Sequence, residues 1–157
     1  MQRNALDKFI KMRSAEGEKL YEDINGRCRT ILQLVSKVEE RSPQTVAEYR
    51  KKLTERMNEV LSTAAVDEQR IITEAAIFAD KIAVDEETVR LRSHFDQFEK
   101  VLNSDGSVGR KIDFLLQEMN REANTIGSKV QDADLAHIVV EIKAELEKIR
   151  EQVQNVE

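Results

Sequence analysis

The chain has 157 residues, of which 40% are hydrophobic and 35% are charged, enough for one domain with a modest core. Its net charge of −5 excludes a general electrostatic attraction for nucleic acid, and its single cysteine, Cys28, excludes an internal disulfide. Because it contains neither a run of about 18 apolar residues nor a secretory signal, we expect a cytoplasmic protein without a membrane partner.

The first predicted element is one long helix from Ala5 to about Glu40. Gly17 and Gly26 are its strongest interruptions, and each costs only about 1 kcal/mol relative to alanine. A helix of that length spans on the order of 50 Å, so we expect it to project or to pack on another subunit. Its apolar residues recur at the spacing of one helix face: Leu20, Ile24, Cys28, Ile31, Val35 and Val38.

Two shorter helices are predicted next. Ser42 and Pro43 predict the start of the second helix, because serine is a good N-cap and proline is tolerated at the first helical position. Asp67 is the predicted cap of the third. The apolar face of the second helix consists of Val46, Tyr49, Leu53, Met57, Val60 and Ala64. The apolar face of the third consists of Ile71, Ile72, Ala75, Phe78, Ala79 and Ile82.

A helical hairpin is predicted from Asp85 to Lys129. Asp85 is the predicted cap of its first helix, Glu86 and Glu87 suit the first turn, and residues 103–109 form the predicted loop. The first apolar stripe consists of Leu91, Phe95, Phe98 and Leu102, beside which run Arg90, His94 and Gln97. The second stripe consists of Ile112, Leu115, Leu116, Met119, Ala123 and Ile126.

The last predicted helix begins at Asp132 or Asp134 and has the most regular pattern of the chain. Heptads sustained over three repeats predict a coiled-coil seam, here against the long first helix. The residues of the seam are Leu135, Val139, Ile142, Leu146, Ile149, Val153 and Val156.

The predicted fold class is therefore all-α. We expect an elongated multi-helix domain with a long N-terminal helix, a central helical hairpin and a heptad-patterned C-terminal helix. It forms a single helical domain over residues 1–157, in which 1–65 hold the long helix and the second helix, 66–131 the central helices and 132–157 the last helix.

Glu118 and Glu122 are the sharpest candidate for chemistry. They lie one turn apart, and both are expected on the face opposite Leu116, Met119 and Ala123, away from the core. Two such carboxylates can share a hard divalent cation such as Mg²⁺ or Mn²⁺, which assists phosphodiester cleavage. The same spacing occurs on ordinary solvated helix faces, so spacing alone leaves both interpretations open.

Other polar residues of the hairpin are weaker candidates. His94 can serve as a general base, although a histidine beside an apolar stripe can also be structural. Asn124 can hold a base or a ribose hydroxyl, or it can bond across a helix interface. The candidates for phosphate contacts are Arg90, Arg92, Arg110, Lys111, Arg121 and Lys129.

Three strings of the sequence resemble a known family: RLRSHFDQF, GRKIDFLLQEMNREANTIGSK and EIKAELEKIREQVQN. They are similar to the C-terminal half of the YicC/YloC family of bacterial proteins, whose members are metal-dependent endoribonucleases. The resemblance implies an enzyme that binds RNA and hydrolyses its phosphodiester bonds with Mn²⁺ or Mg²⁺. It implies metal ligands at Glu118 and Glu122, catalysis by these glutamates and His94, a homo-oligomer of up to six copies, and no small-molecule cofactor.

Members of that family carry an N-terminal α/β domain that is absent here, so we expect this chain to be part of a longer protein. That expectation leaves a second role open, in which the chain is a non-catalytic helical scaffold for oligomerisation and the missing domain completes the chemistry. A coiled-coil adaptor for another protein would fit the heptads but would leave QEMNREAN unexplained.

Overall fold

The computed structural model describes residues 15–61, 68–104 and 109–154, which form helices and their connections without a strand. The predicted all-α class, the long N-terminal helix and the helical hairpin are confirmed within this part of the chain. None of the described helices has the length and apolar character needed to cross a membrane. The helices are α1 (Ala15–Val60), α2 (Glu68–Ile82), α3 (Asp85–Leu102), α4 (Gly109–Lys129) and α5 (Ala133–Gln154).

Helix α1 runs without a break through Ser42 and Pro43, so the prediction that a second helix begins there is wrong. A proline inside a helix removes one hydrogen bond and crowds the carbonyl four residues earlier, at a cost of about 3 kcal/mol. Val38 before Pro43 and Thr45 after it are buried, and the packing of these side chains offsets the cost. The Pro43 ring itself faces solvent. Thr45 also donates its hydroxyl to the Ser42 carbonyl at 2.9 Å. The helix has 46 residues, and the segment from Ala5 to its start lies outside the described residues.

Helix α2 packs on the C-terminal half of α1. The rings of Tyr49 and Phe78 stack at a centroid distance of 5.8 Å. Two residues predicted to face inward are instead exposed, Val60 at 61% and Ile72 at 56%. Among the described helices, only α2 packs extensively on the C-terminal half of α1, so the apolar faces of this pair are wider than the surface that covers them. The predicted cap Asp67 lies outside the described residues.

Helices α3 and α4 form an antiparallel hairpin, on which α5 and the N-terminal half of α1 pack. The predicted stripes of the hairpin are buried, as are the described residues of the α5 seam, and α5 packs on both α1 and α4. Cys28 lies against this core, and burial raises the pKa of its thiol to about 12, so it remains neutral. A Cβ atom added to Gly127 would lie 3.2 Å from Val139 Cγ1, which shows how closely α4 and α5 approach.

The starts of α3 and α5 differ in how their amides are capped. Asp85 is the first residue of α3 rather than its cap, because the N-cap position is Val84 and no side chain bonds there. Asp132 does cap α5, since its Oδ2 accepts the Leu135 amide at 3.2 Å. Arg41 of α1 also donates to both carboxylate oxygens of Asp132, at 3.0 and 3.2 Å.

We expect Asp132→Ala to lower the free energy of unfolding by about 1–2 kcal/mol, because it removes the cap. The Arg41 guanidinium lowers the pKa of Asp132 from its ordinary value of 3.8. Because the pKa of Asp132 is lower in the folded state, its ionised carboxylate stabilises the fold at pH values above the ordinary pKa. This stabilisation is lost as the pH falls through the pKa of the folded state. The difference between variant and parent in urea unfolding should therefore be full at pH 7 and shrink below about pH 4.

The matched control is Asp134→Ala, which removes an equivalent side chain that is 77% exposed. It should leave the unfolding curve nearly unchanged. An equal loss from both substitutions would contradict the capping role of Asp132.

Candidate active site

The hairpin encloses an ion-pair cluster between α3 and α4. Arg90 donates from Nε to Glu122 Oε1 at 2.8 Å, and its terminal nitrogens lie 3.6 Å from Glu86 and 3.8 Å from Glu87. The Glu122 side chain is only 8% exposed and the Glu87 side chain 3%. The hydrogen bond to Glu122 raises the pKa of Arg90, so this arginine remains charged beside two buried carboxylates.

Lys129 at the end of α4 is the second cation of the cluster. Its Nζ forms an ion pair with Glu87 Oε1 and donates to the Ala83 carbonyl at 3.3 Å. Arg90 and Lys129 together balance the charges of Glu87 and Glu122. Burial of these carboxylates is therefore compatible with a stable fold, because each is paired with a cation.

Three buried polar atoms beside these pairs have no hydrogen-bond partner among the described residues. They are Oε2 of Glu87, Oε2 of Glu122 and Nδ1 of His94, which lies one turn after Arg90. A buried acceptor without a partner costs about 1–3 kcal/mol, so such an atom is explained by strain, by a catalytic role, or by a bound water or ion. The cluster therefore offers two carboxylate oxygens that no described residue bonds, and α3 carries one further open atom, Nδ1 of His94.

The prediction that Glu118 and Glu122 both lie away from the core is wrong for Glu122. Glu122 lies three residues after Met119 and four before Ile126, at the edge of the buried side of α4, where α3 covers it. Glu118 is half-buried, with its Oε1 4.0 Å from Arg121 Nε. In the described part of the chain, no three His, Cys, Asp or Glu side chains converge as a ligand set, so the metal site remains a prediction.

Glu87 is a candidate residue that the sequence interpretation missed. It was assigned only to the first turn of its helix, where acids favour the helix dipole. Its position four residues before Leu91 places it on the same stripe as the buried residues of α3. A charged residue on an apolar stripe is the signal that could have identified it.

The predicted phosphate-binding cations fall into two groups. Arg90 and Lys129 are held within the cluster, and Arg92 donates to both carboxylate oxygens of Glu39 on α1, at 2.8 and 2.6 Å. The Arg92 hydrogen bond lowers the pKa of Glu39. The remaining cations, Arg110, Lys111 and Arg121, lie on the solvent side of α4, and so does Asn124, the candidate for base or ribose contacts.

Comparison of the sequence with known proteins shows which family the chain resembles. Residues 38–157 match the family described as "Endoribonuclease YicC-like, C-terminal". The chain is 50% identical over 155 residues to a "Probable endoribonuclease YicC" of Clostridioides difficile, which covers 98% of this chain and 53% of that protein. It is 40% identical over 152 residues to a protein of the same description from Haemophilus influenzae, covering 97% of this chain and 52% of that protein.

The chain spans about half the length of the curated relatives it matches. The family match covers most of the chain, including the whole hairpin with Arg90, Glu87 and Glu122. These findings confirm the resemblance seen in the three sequence strings. The chain therefore belongs to the YicC-like endoribonuclease family and corresponds to the C-terminal part of its members.

Proposed function

We propose that this chain is the helical part of a divalent-metal-dependent endoribonuclease, which hydrolyses phosphodiester bonds of single-stranded or structured RNA in the cytoplasm. The observation that carries the proposal is the pair of buried carboxylate oxygens on Glu87 and Glu122 that no described residue bonds. The relatives, which are described as probable endoribonucleases, supply the class of reaction.

The donor set fits Mn²⁺ or Mg²⁺. Both ions favour carboxylate oxygens, and Mg²⁺ is usually held by one or two carboxylates together with water and substrate phosphates. Glu122 would hold the ion with Glu118 on the preceding turn, and the open Oε2 of Glu87 on α3 would bond a water of that ion, since no three acidic side chains of the described residues converge as a ligand set. When bound, such an ion polarises a phosphoryl oxygen and acidifies a water molecule.

The protein residues of the cluster have separate roles in this proposal. Arg90 fixes the Glu122 carboxylate through Oε1, which leaves Oε2 available. Lys129 fixes the Glu87 carboxylate in the same way through its Oε1. His94 accepts a proton at Nδ1 from the attacking water, as a general base, while the P–O bond to the leaving ribose oxygen breaks.

A second candidate role is a helical scaffold for self-association. Val60, Ile72 and Ile77 are exposed on the α1–α2 pair, at 61%, 56% and 46%. Exposed apolar surface of this kind favours contact with another copy of the chain. A homo-oligomer is compatible with catalysis, so the two roles differ only in whether this half carries the chemistry.

A cleavage assay with a metal control tests the proposal. We expect the chain, alone or within a protein of the relatives' full length, to cut RNA internally with Mn²⁺ and to stop when a chelator is added. Without RNA, Mn²⁺ should raise the melting temperature, because an ion that binds only the folded state stabilises it. The catalytic proposal would be overturned if the chain forms oligomers but neither binds Mn²⁺ nor supports cleavage within the full-length protein. The scaffold role would then remain.

A further inference from the structure

Helix α4 has a second stripe of residues on its solvent side. The steps between them are four, three, four, three and four, the same as in a buried seam, yet all six side chains are exposed. We name this set the outer stripe, and it consists of Arg110, Phe114, Gln117, Arg121, Asn124 and Ser128.

The outer stripe differs in charge from the rest of the chain. It contains two arginines and no acid, whereas the chain carries a net charge of −5. Among the described residues Arg110 has no ion pair, and Arg121 has only the 4.0 Å contact with Glu118. The shallow groove along this face is also lined without a carboxylate, by Gln117, Asn120, Arg121, Asn124, Thr125 and Ser128.

Phe114 is the feature of the outer stripe that packing does not explain. Its side chain is 59% exposed, and the other large hydrophobic side chains that are exposed in the described residues are aliphatic. Arg110 lies one turn before it and Gln117 one turn after it. An exposed aromatic ring between cationic and amide side chains is the arrangement with which proteins stack unpaired bases.

We propose that the outer stripe binds single-stranded RNA, with Phe114 stacked on an unpaired base. Arg110 and Arg121 contact phosphates, and the amides of Gln117 and Asn124 bond base edges or ribose hydroxyls. The proposal rests on the proposed function, since it names the surface that presents RNA to the neighbouring carboxylates. Arg121 joins the two surfaces, because it belongs to the outer stripe and lies 4.0 Å from Glu118.

The composition of the outer stripe favours RNA over a second copy of the chain. The centre of a protein–protein interface is depleted of charge and enriched in apolar side chains. Five of the six residues in the outer stripe are polar or charged, and Phe114 is the single apolar one.

The test uses tryptophan as a reporter, because the chain contains none. In Phe114→Trp, a short single-stranded RNA should quench the fluorescence of the introduced tryptophan, since the indole stacks on a base. Ile77→Trp is the control, because Ile77 is 46% exposed on α2 and lies one turn from Glu74 and Asp80, so RNA should leave its fluorescence unchanged. Absence of quenching in Phe114→Trp would overturn the proposal.

Affinity for the same RNA, measured by fluorescence anisotropy, gives the second readout. Phe114→Ala and Phe114→Leu should weaken binding by about fivefold to 150-fold, whereas Phe114→Tyr should bind like the parent, because stacking requires a ring. Parental affinity in Phe114→Ala would overturn the proposal. The proposal would also be overturned if Phe114→Ala lowers the oligomeric mass measured by light scattering and leaves the RNA affinity unchanged. Phe114 would then belong to an interface between copies of the chain.

All binding measurements contain a chelator, so that RNA is bound without being cut. The stacking proposal therefore fails or succeeds independently of catalysis. A chain that cleaves RNA with Mn²⁺ but shows parental RNA affinity in Phe114→Ala would retain the proposed function and lose the outer stripe as its RNA-binding surface.

Discussion

Replacing Glu122 with glutamine is expected to lower metal-dependent RNA cleavage by roughly two to four orders of magnitude, the usual contribution of a group that takes part in the chemistry. Glutamine keeps the shape and one acceptor oxygen, so Arg90 still has a partner. Because the ion pair becomes a hydrogen bond from the charged Arg90 to a neutral amide oxygen, the free energy of unfolding should fall by only about 1 kcal/mol. Initial rates of cleavage and a urea unfolding curve measure the two effects separately.

Glu118→Gln should lower cleavage similarly and leave stability unchanged, since the Glu118 side chain is half-buried and has one distant ion pair. The matched control is Glu40→Gln, the same chemical change at an exposed residue of α1. It should cleave at the parental rate. Parental rates in both Glu118→Gln and Glu122→Gln would show that these carboxylates take no part in the reaction.

Phe98→Ala is expected to cause a large loss of stability, about 3–5 kcal/mol, because it removes a fully buried ring and leaves a cavity. Phe98 is 0% exposed in the core that α1, α3, α4 and α5 share. A single domain is stable by only about 5–15 kcal/mol, so the variant should unfold at a much lower urea concentration than the parent.

The chain offers a matched control for this deletion. Phe114→Ala removes the same ring from a position that is 59% exposed, where substitutions usually change stability by no more than about 0.5 kcal/mol. Urea unfolding of the two variants, followed by circular dichroism, compares them directly. Equal urea midpoints for the two variants would contradict the burial of Phe98. The same measurement shows whether Phe114→Ala is folded, which the RNA-binding test requires.

The elements with strong periodicity were predictable because their pattern and their packing agree. The seam from Leu135 to Val153 and the stripes of the hairpin are buried as predicted. The predicted helix start at Ser42 and Pro43 was wrong, because packing along the whole of α1 favours one continuous helix over the local start signal. Tertiary contacts regularly override local propensity in this way.

The depth of the polar residues could not be predicted from one helix alone. Glu122 is buried because α3 covers the flank of α4 on which it lies, and Arg90 supplies the compensating charge. Glu87 is buried by the same contact between helices, with Lys129 as partner. The sequence places these residues on the correct elements, but which flank is covered depends on how the hairpin closes.

The path of α1 through Pro43 has a mechanical consequence. Just before the proline, the Arg92–Glu39 pair joins α1 to α3 and the Arg41–Asp132 pair joins it to the start of α5. Beyond the proline, α2 is the one described helix that packs extensively on α1. From Pro43 to Val60 the helix extends about 26 Å. Proline removes the hydrogen bond to the Glu39 carbonyl, which makes this the point where the helix bends most easily. A bend of about 10° there would move the far end by roughly 4–5 Å, so a small shift near the two ion pairs would become a larger displacement at Val60.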